Sequence, residues 1–312
     1  MADDNTKTLR EILGLTKASH STLYENTRDD LLIAIDCENG FEFTKQDSFE
    51  KVNSQLGLAI LDPKDLAKST SSQVNISTYN FATGTPNYRK RVSTRFIFGE
   101  SYNLCTQKKD LAEKINSIIP DSRNVILIGH GGRQDLKAFS SLNAKFLKYP
   151  FFDTQIIARN VLPVIDENRK ANESLCNLLT YFNCPFDRLH CAGNDANFTL
   201  RLLLLLVAYS SKDVSPLCRQ EFKEKAKIIK DIAYAPLPAL KPYPHYVAFV
   251  RKQRRWQLKL QARFQDPDTI ARNKHRPRGF WTQVIVLVTY EPELTYRNSI
   301  DSGALRPNGF TP

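Results

Sequence analysis

A near-continuous apolar run, Leu31–Glu38 (LLIAIDCE), dominates the hydropathy pattern of the chain; it is entered through Asp29 and Asp30 and ends in acids. Apolar residues without alternation predict a central strand buried on both faces. Leu56–Asp62 (LGLAILD) predicts a second strand and Ser93–Gly99 (STRFIFG) a third, with polar, Ser/Asn-rich segments between them. After Gly99 the rhythm changes. Leu111, Ile115, Ile118 and Ile119 give Lys108–Ile119 a helical spacing. Asn124–Gly129 (NVILIG) reads as a strand, Gln134–Leu142 as a helix, and Phe151–Asp153 as a short strand leading into a helix over 154–161. Ser174–Phe182 and Asn194–Ser210 read as further helices. Three locally paired strands followed by alternating helix and strand predict an α/β sheet.

The ends differ from this middle. Residues 1–29 form a polar N-terminal arm with one short helical pattern, Thr8–Leu15 (TLREILGL), expected to pack on the domain. Gln220–Ala233 is a charged helical pattern, and Pro236–Pro244 (PLPALKPYP) marks the end of the packed domain. The expected organisation is therefore an arm over 1–29, a catalytic-size domain over 30–234, and a Pro-rich linker with a basic C-terminal tail over 235–312.

Charge sharpens that division. Of the net +11, the segment from residue 235 onward supplies +8, from thirteen Lys or Arg against five Asp or Glu. An excess of this kind favours polyanionic partners such as nucleic acid or an acidic membrane surface. Six cysteines without a CxxC spacing read as reduced thiols of an intracellular protein, in nucleus or cytoplasm, and exclude a structural zinc ribbon. The longest apolar run, Leu202–Ala208, is far too short to span a bilayer, so a soluble protein without membrane attachment is expected.

The acids sit where metal chemistry needs them. Asp36 and Glu38, two apart at a strand end, share one face about 7 Å apart. Carboxylates so placed repel unless a cation lies between them, and hard oxygen donors suit Mg²⁺ or Mn²⁺. In Ile128–Phe139 (IGHGGRQDLKAF) a strand passes through a Gly-rich turn into a helix with Asp135 in its first turn, where dipole stabilisation also favours an acid. In Leu189–Leu205 (LHCAGNDANFTLRLLLL), His190 precedes Asp195 by five positions. With Gly193 as a flexible connection and Asn194 as helix cap, Asp195 sits on a rigid helix and His190 on a mobile loop ahead of it.

Taken in order, D-x-E, then an acid after a GH-containing strand, then H-x₄-D on the last long helix, this chain resembles the DEDDh 3′→5′ exonuclease family of the RNase H-like superfamily over residues 30–210. Gly129–Asp135 is similar to the family's G-H-N-x-x-F-D, and Phe152–Thr154 to its D-T strand. The Thr8–Leu15 lead and the Gln134–Lys137 segment resemble a fungal group defined by a shared C-terminal domain and linked by name to helicase support in messenger RNA export. The resemblance implies an RNase H-like mixed sheet, three antiparallel then two parallel strands, flanked by helices. It implies that Asp36, Glu38, Asp135 and Asp195 bind two Mg²⁺ or Mn²⁺ ions. His190 would act as general base, in a hydrolase acting on RNA or single-stranded DNA. Asp153 is expected behind the ligands rather than among them. Asn39–Gly40 replaces the family Thr, Gly131 the Asn and Gln134 the Phe. Those departures keep open a second reading, a catalytically weak nucleic-acid-binding adaptor on the same scaffold.

In the tail, Arg251, Lys252, Arg254, Arg255, Lys259 and Arg263 surround Trp256 and Phe264. Phosphate neutralisation with base stacking makes this a candidate nucleic-acid grip, and a solvated basic tail is the alternative. The late apolar run Val284–Tyr290 is an isolated strand candidate.

Overall fold

The computed structural model describes residues 2–15, 29–45, 48–49, 51–68, 75–103, 108–119, 122–162, 173–210 and 219–238, all within one compact unit spanning 1–242. The basic segment holding Arg251, Lys252, Arg254, Arg255 and Trp256, and the run Val284–Tyr290, lie outside the described residues.

The chain runs α1 (Ala2–Ile12), β1 (Asp30–Glu38), α2 (Glu42–Lys45), β2 (Gln55–Leu61), α3 (Asp65–Lys68), β3 (Ser77–Ala82), α4 (Pro86–Arg95), β4 (Tyr102–Asn103) and α5 (Lys108–Ile118). It continues through β5 (Asn124–Gly129), α6 (Arg133–Leu142), a 3₁₀ turn (Ala144–Lys148), β6 (Phe151–Asp153) and α7 (Thr154–Val161). The last elements are α8 (Leu175–Tyr181), α9 (Ala192–Ser210) and α10 (Arg219–Ala233). The sheet order is β4-β3-β2-β1-β5-β6. β1, β2 and β3 pair antiparallel, while β5 joins β1, and β6 joins β5, in parallel. This is the mixed α/β sheet expected, with helices on both faces and β1 at its centre.

Two apolar layers sandwich the sheet. Leu31, Ile33 and Ile35 of β1 face α5 and α6 with Leu111, Ile115 and Phe139. Leu32 and Ala34 face the other way, toward α9. Every residue from Ala192 to Ala208 is buried, because α9 lies on the sheet and is itself covered by α1, α7, α8 and α10. Its second half is accordingly apolar all round, and its polar residues are met inside: Arg201 donates to Asn197 Oδ1 at 2.8 Å and to the Ala235 carbonyl at 2.6 Å, just past α10. The N-terminal arm contributes Leu9, Ile12, Leu13 and Leu15 to the same layer.

One predicted strand is not a strand. Ser93–Gly99 is the end of α4 and the link that follows, and the third strand is Ser77–Ala82. Thr85 caps the helix by accepting from the Tyr88 N–H, with Pro86 in the first turn, and this start carries the helix through Arg95. Phe96 and Ile97 are both buried in succession, so the apolar residues of STRFIFG wedge into the core instead of alternating. The true strand was masked by a polar residue in a buried position, Asn80. Among the described residues no helix is long and apolar enough to cross a membrane.

Candidate active site

β1 runs past its parallel neighbour. Pairing with β5 ends at Ala34, whereas pairing with β2 continues to Glu38. Asp36 and Glu38 extend the row of Leu32 and Ala34 on the α9 face, two positions beyond the point where apolar packing stops. The free side of β1 leaves the Cys37 N–H available, and Asp135, in the first turn of α6, accepts it through Oδ1 at 3.1 Å. That bond ties the helix to the strand end and aims the third acid at the first two.

The fourth acid arrives on α9, and the sheet is cut to receive it. Across the strands, Asp36 lies opposite Gly57 and Gly57 opposite Asn80. A Cβ at Gly57 would stand 2.0 Å from the Ala192 carbonyl oxygen. Glycine there lets the start of α9 rest directly on β2. One at Gly193 would meet the Asn80 Cβ at 2.7 Å, so Gly193 serves this close approach, not flexibility. The first amides of α9 find partners in the sheet: Ala192 N donates to Gln55 Oε1 at 3.2 Å and Gly193 N to Asn80 Oδ1 at 2.8 Å. Gln55 and Asn80 were not singled out from sequence. The helix begins two residues before the expected Asn194, whose side chain is not a cap. Its Nδ2 donates to the carbonyls of Arg95 and Arg188, and its Oδ1 accepts from Ile97 N.

His190 stands just ahead of this helix with φ 63°, and Arg188 with φ 50°, both left-handed. The backbone of this turn is tied down. His190 N donates to Asp195 Oδ2 at 2.8 Å, and Arg95 donates to the Leu189 carbonyl. The expected mobile loop is therefore a pinned turn with an outward side chain, 84% exposed. Its Nδ1 lies 3.6 Å from Glu38 Oε1. Ligand atoms of Glu38, His190 and Asp195 all fall within 4.8 Å of one another, and Asp36 and Asp135 flank them.

These carboxylates repel. Burial pushes Asp195 up to about 8 and Asp135 up to about 6, with the Glu38 charge adding to both. Burial raises Asp36 well above the ordinary carboxylate range, and Asp195, Asp135 and Glu38 raise it further. Asp36 Oδ2 and Asp195 Oδ1 are buried without a hydrogen-bond partner. Buried, unpartnered carboxylate oxygens are costly unless a cation meets them, so this donor set fits divalent ions that take oxygen ligands.

Asp153 has other work: its Oδ1 accepts from Gln155 N at 2.9 Å, capping α7, and from Gly131 N at 3.0 Å. Gly131 has φ 69°, a conformation open to Gly and Asn alike, so the exchange of Asn for Gly keeps the turn and loses the side chain. Gln134 is exposed, and Asn39 turns its Nδ2 to the Asn53 carbonyl at 3.0 Å. His130 packs behind the site. Thr154 donates to the Gly129 carbonyl, so His130 Nδ1 donates to Thr154 Oγ1, at 2.8 Å.

No curated protein matches the chain. Residues 31–206, more than half of the sequence, match the DEDDh family model described as DNA polymerase III subunit epsilon-like, C-terminal domain. With four acids and a histidine gathered at one strand end of an RNase H-like sheet, the chain belongs to the DEDDh exonuclease family.

Proposed function

We propose that the chain is a metal-dependent 3′→5′ exonuclease that hydrolyses RNA or single-stranded DNA and releases nucleoside 5′-monophosphates. The observation that carries this reading is the pair of buried, unpartnered oxygens on Asp36 and Asp195 within a group of four mutually repelling carboxylates. Asp36, Glu38 and Asp195 would hold one Mg²⁺ or Mn²⁺, and Asp36 with Asp135 a second. When bound, the ions stabilise charge on the attacking and leaving oxygens of an in-line displacement.

The protein's own groups do the rest. Asp135 is oriented by the Cys37 amide and Asp195 by the His190 amide, and Asp195 keeps its Oδ1 for a ligand. His190, exposed at the rim and beside Glu38, takes the proton of the attacking water as general base. Its pinned backbone sets where the imidazole swings from.

A second reading, a weak enzyme working as a nucleic-acid adaptor, draws on the exposed Gln134, the bare Gly131 and the occupied Asn39 side chain. On that reading the likeness to the fungal export-linked group is the guide to its biology. One assay separates the two. Single-stranded RNA and DNA labelled at the 5′ end are incubated with the full chain and Mg²⁺, Mn²⁺ or EDTA. A ladder shortening from the 3′ end, absent in EDTA and in Asp36→Ala, supports the enzyme. His190→Ala is expected to slow it by about 10²–10⁴-fold. Binding without shortening, unchanged by either substitution, contradicts it.

A further inference from the structure

The site has a second wall whose chemistry differs from the acids. Helix α4 (PNYRKRVSTR) carries Arg89, Lys90, Arg91 and Arg95 and not one acid. Apart from Arg95 in the last turn, its charges do not help the helix. Arg91 and Arg95 stand at i,i+4, where like charges destabilise, and its first turn has no acid to meet the dipole. By contrast α5 and α10 interleave Lys with Asp and Glu, as Lys109 and Glu113 do at 3.7 Å. Lys90 and Arg91, both exposed, have no acid on their own helix to meet them, which suits an anion from outside.

Its position says which anion. At its start, the Thr85 N–H donates to Asn53 Oδ1 at 3.0 Å, and the Asn53 carbonyl accepts from Asn39, next to Glu38. The Tyr88 hydroxyl accepts from Gln55 Nε2 at 3.2 Å, and Gln55 lies opposite Glu38 across the sheet. At its end, Arg95 donates to the carbonyl of Leu189, beside His190, while the Arg95 carbonyl accepts from Asn194 at 3.0 Å. The helix, about 15 Å long for its ten residues, therefore borders the site, tied at its start near Glu38 and at its end near His190. Lys90 and Arg91 remain exposed, and the Arg91 guanidinium stacks 5.3 Å from the Tyr88 ring centre. Cations and an aromatic ring in line with a hydrolytic site match a sugar-phosphate backbone with its bases.

We propose that α4 is a phosphate rail: Arg91, stacked on Tyr88, and the exposed Lys90 before it hold the nucleic-acid strand on the 5′ side of the bond at the acid cluster. This rests on the exonuclease reading for its orientation, while strand binding itself is measured without cleavage. The test is fluorescence anisotropy of a labelled single-stranded oligonucleotide with the full chain in EDTA, repeated over a series of KCl concentrations. Lys90→Gln/Arg91→Gln is compared with Lys108→Gln/Lys109→Gln on α5. Loss of two phosphate contacts is expected to flatten the slope of log affinity against log salt by about 1.4, and to weaken binding about tenfold near physiological salt. The α5 pair is expected to stay within about twofold of wild type, the affinity range of uninvolved surface charges at this salt.

If the α4 cations merely offset the acids, the α4 pair binds like wild type and the rail is wrong; equal loss in the α5 pair, or no binding by wild type, overturns it as well. Shortening of the strand by wild type with unchanged affinity in the α4 pair overturns the rail alone. Lost affinity in a chain that never shortens the strand supports the rail and overturns the exonuclease reading.

Discussion

Asp195 divides its two oxygens between two tasks. Oδ2 accepts the amide of His190, and Oδ1 stays buried and unpartnered beside Asp36. The H-x₄-D spacing thus has a structural reason, since five positions let the first turn of a helix reach back to the residue before it. In the metal-free chain this acid works against stability. Its folded value, about 8, lies above the ordinary 3.8, chiefly through burial. Between those values the folded state holds a proton that the unfolded state has released, so stability declines as pH rises across that window. Asp195→Asn removes the titration. In EDTA the Tm of wild type is expected to fall relative to the variant from about pH 5 to about pH 8, with Mg²⁺ reversing the trend. A gap independent of pH contradicts this account of the acid. The acids and His190 were legible in sequence because each sits at an element boundary: Asp36 and Glu38 at a strand end, Asp135 and Asp195 in first helical turns, and His190 just ahead of a helix. Gln55 and Asn80 were not legible, because one polar residue inside a strand looks like any other until its partner, an amide of α9, is in place.

The element that decides the site is the contact between α9 and β2. Gly57 sits under the Ala192 carbonyl and opposite Asp36, so the same residue that admits the helix also sets the distance between Asp36 and Asp195. Gly57→Ala places a methyl group against backbone, which cannot turn aside as a side chain can. The variant is expected to lose about 1–3 kcal/mol of stability from overpacking. Because α9 must lift, it is also expected to lose metal affinity out of proportion to its fall in Tm. Retained Mn²⁺ affinity with lowered Tm contradicts the coupling of helix seat to site. At this scale the long periodic elements were readable, β1, β2, α5, α6 and α9 among them. The misassigned third strand shows where pattern fails. The apolar run in STRFIFG imitated a strand, while a cap at Thr85 and a buried Asn80 carried the decisive information through hydrogen bonds that hydropathy does not register.

At the scale of the whole chain, charge is divided. Four carboxylates converge at the end of β1 and α4 borders them with cations, while in sequence the segment from residue 235 onward holds most of the net positive charge. Positive charge of this kind draws a polyanion in, and a bound cation lets the one phosphate to be cleaved approach the acids. Composition made the first half of that statement legible. The second required the fold, because Asp36, Asp135 and Asp195 lie far apart in sequence and meet only through the sheet. The most direct test is therefore a calorimetric titration of the full chain with Mn²⁺ near pH 7.5, in two buffers of different ionisation enthalpy. Two bound ions are expected, with protons released from the carboxylates as they bind, and Asp36→Asn is expected to lose at least one ion. Absence of Mn²⁺ binding, or binding that Asp36→Asn leaves unchanged, contradicts the account.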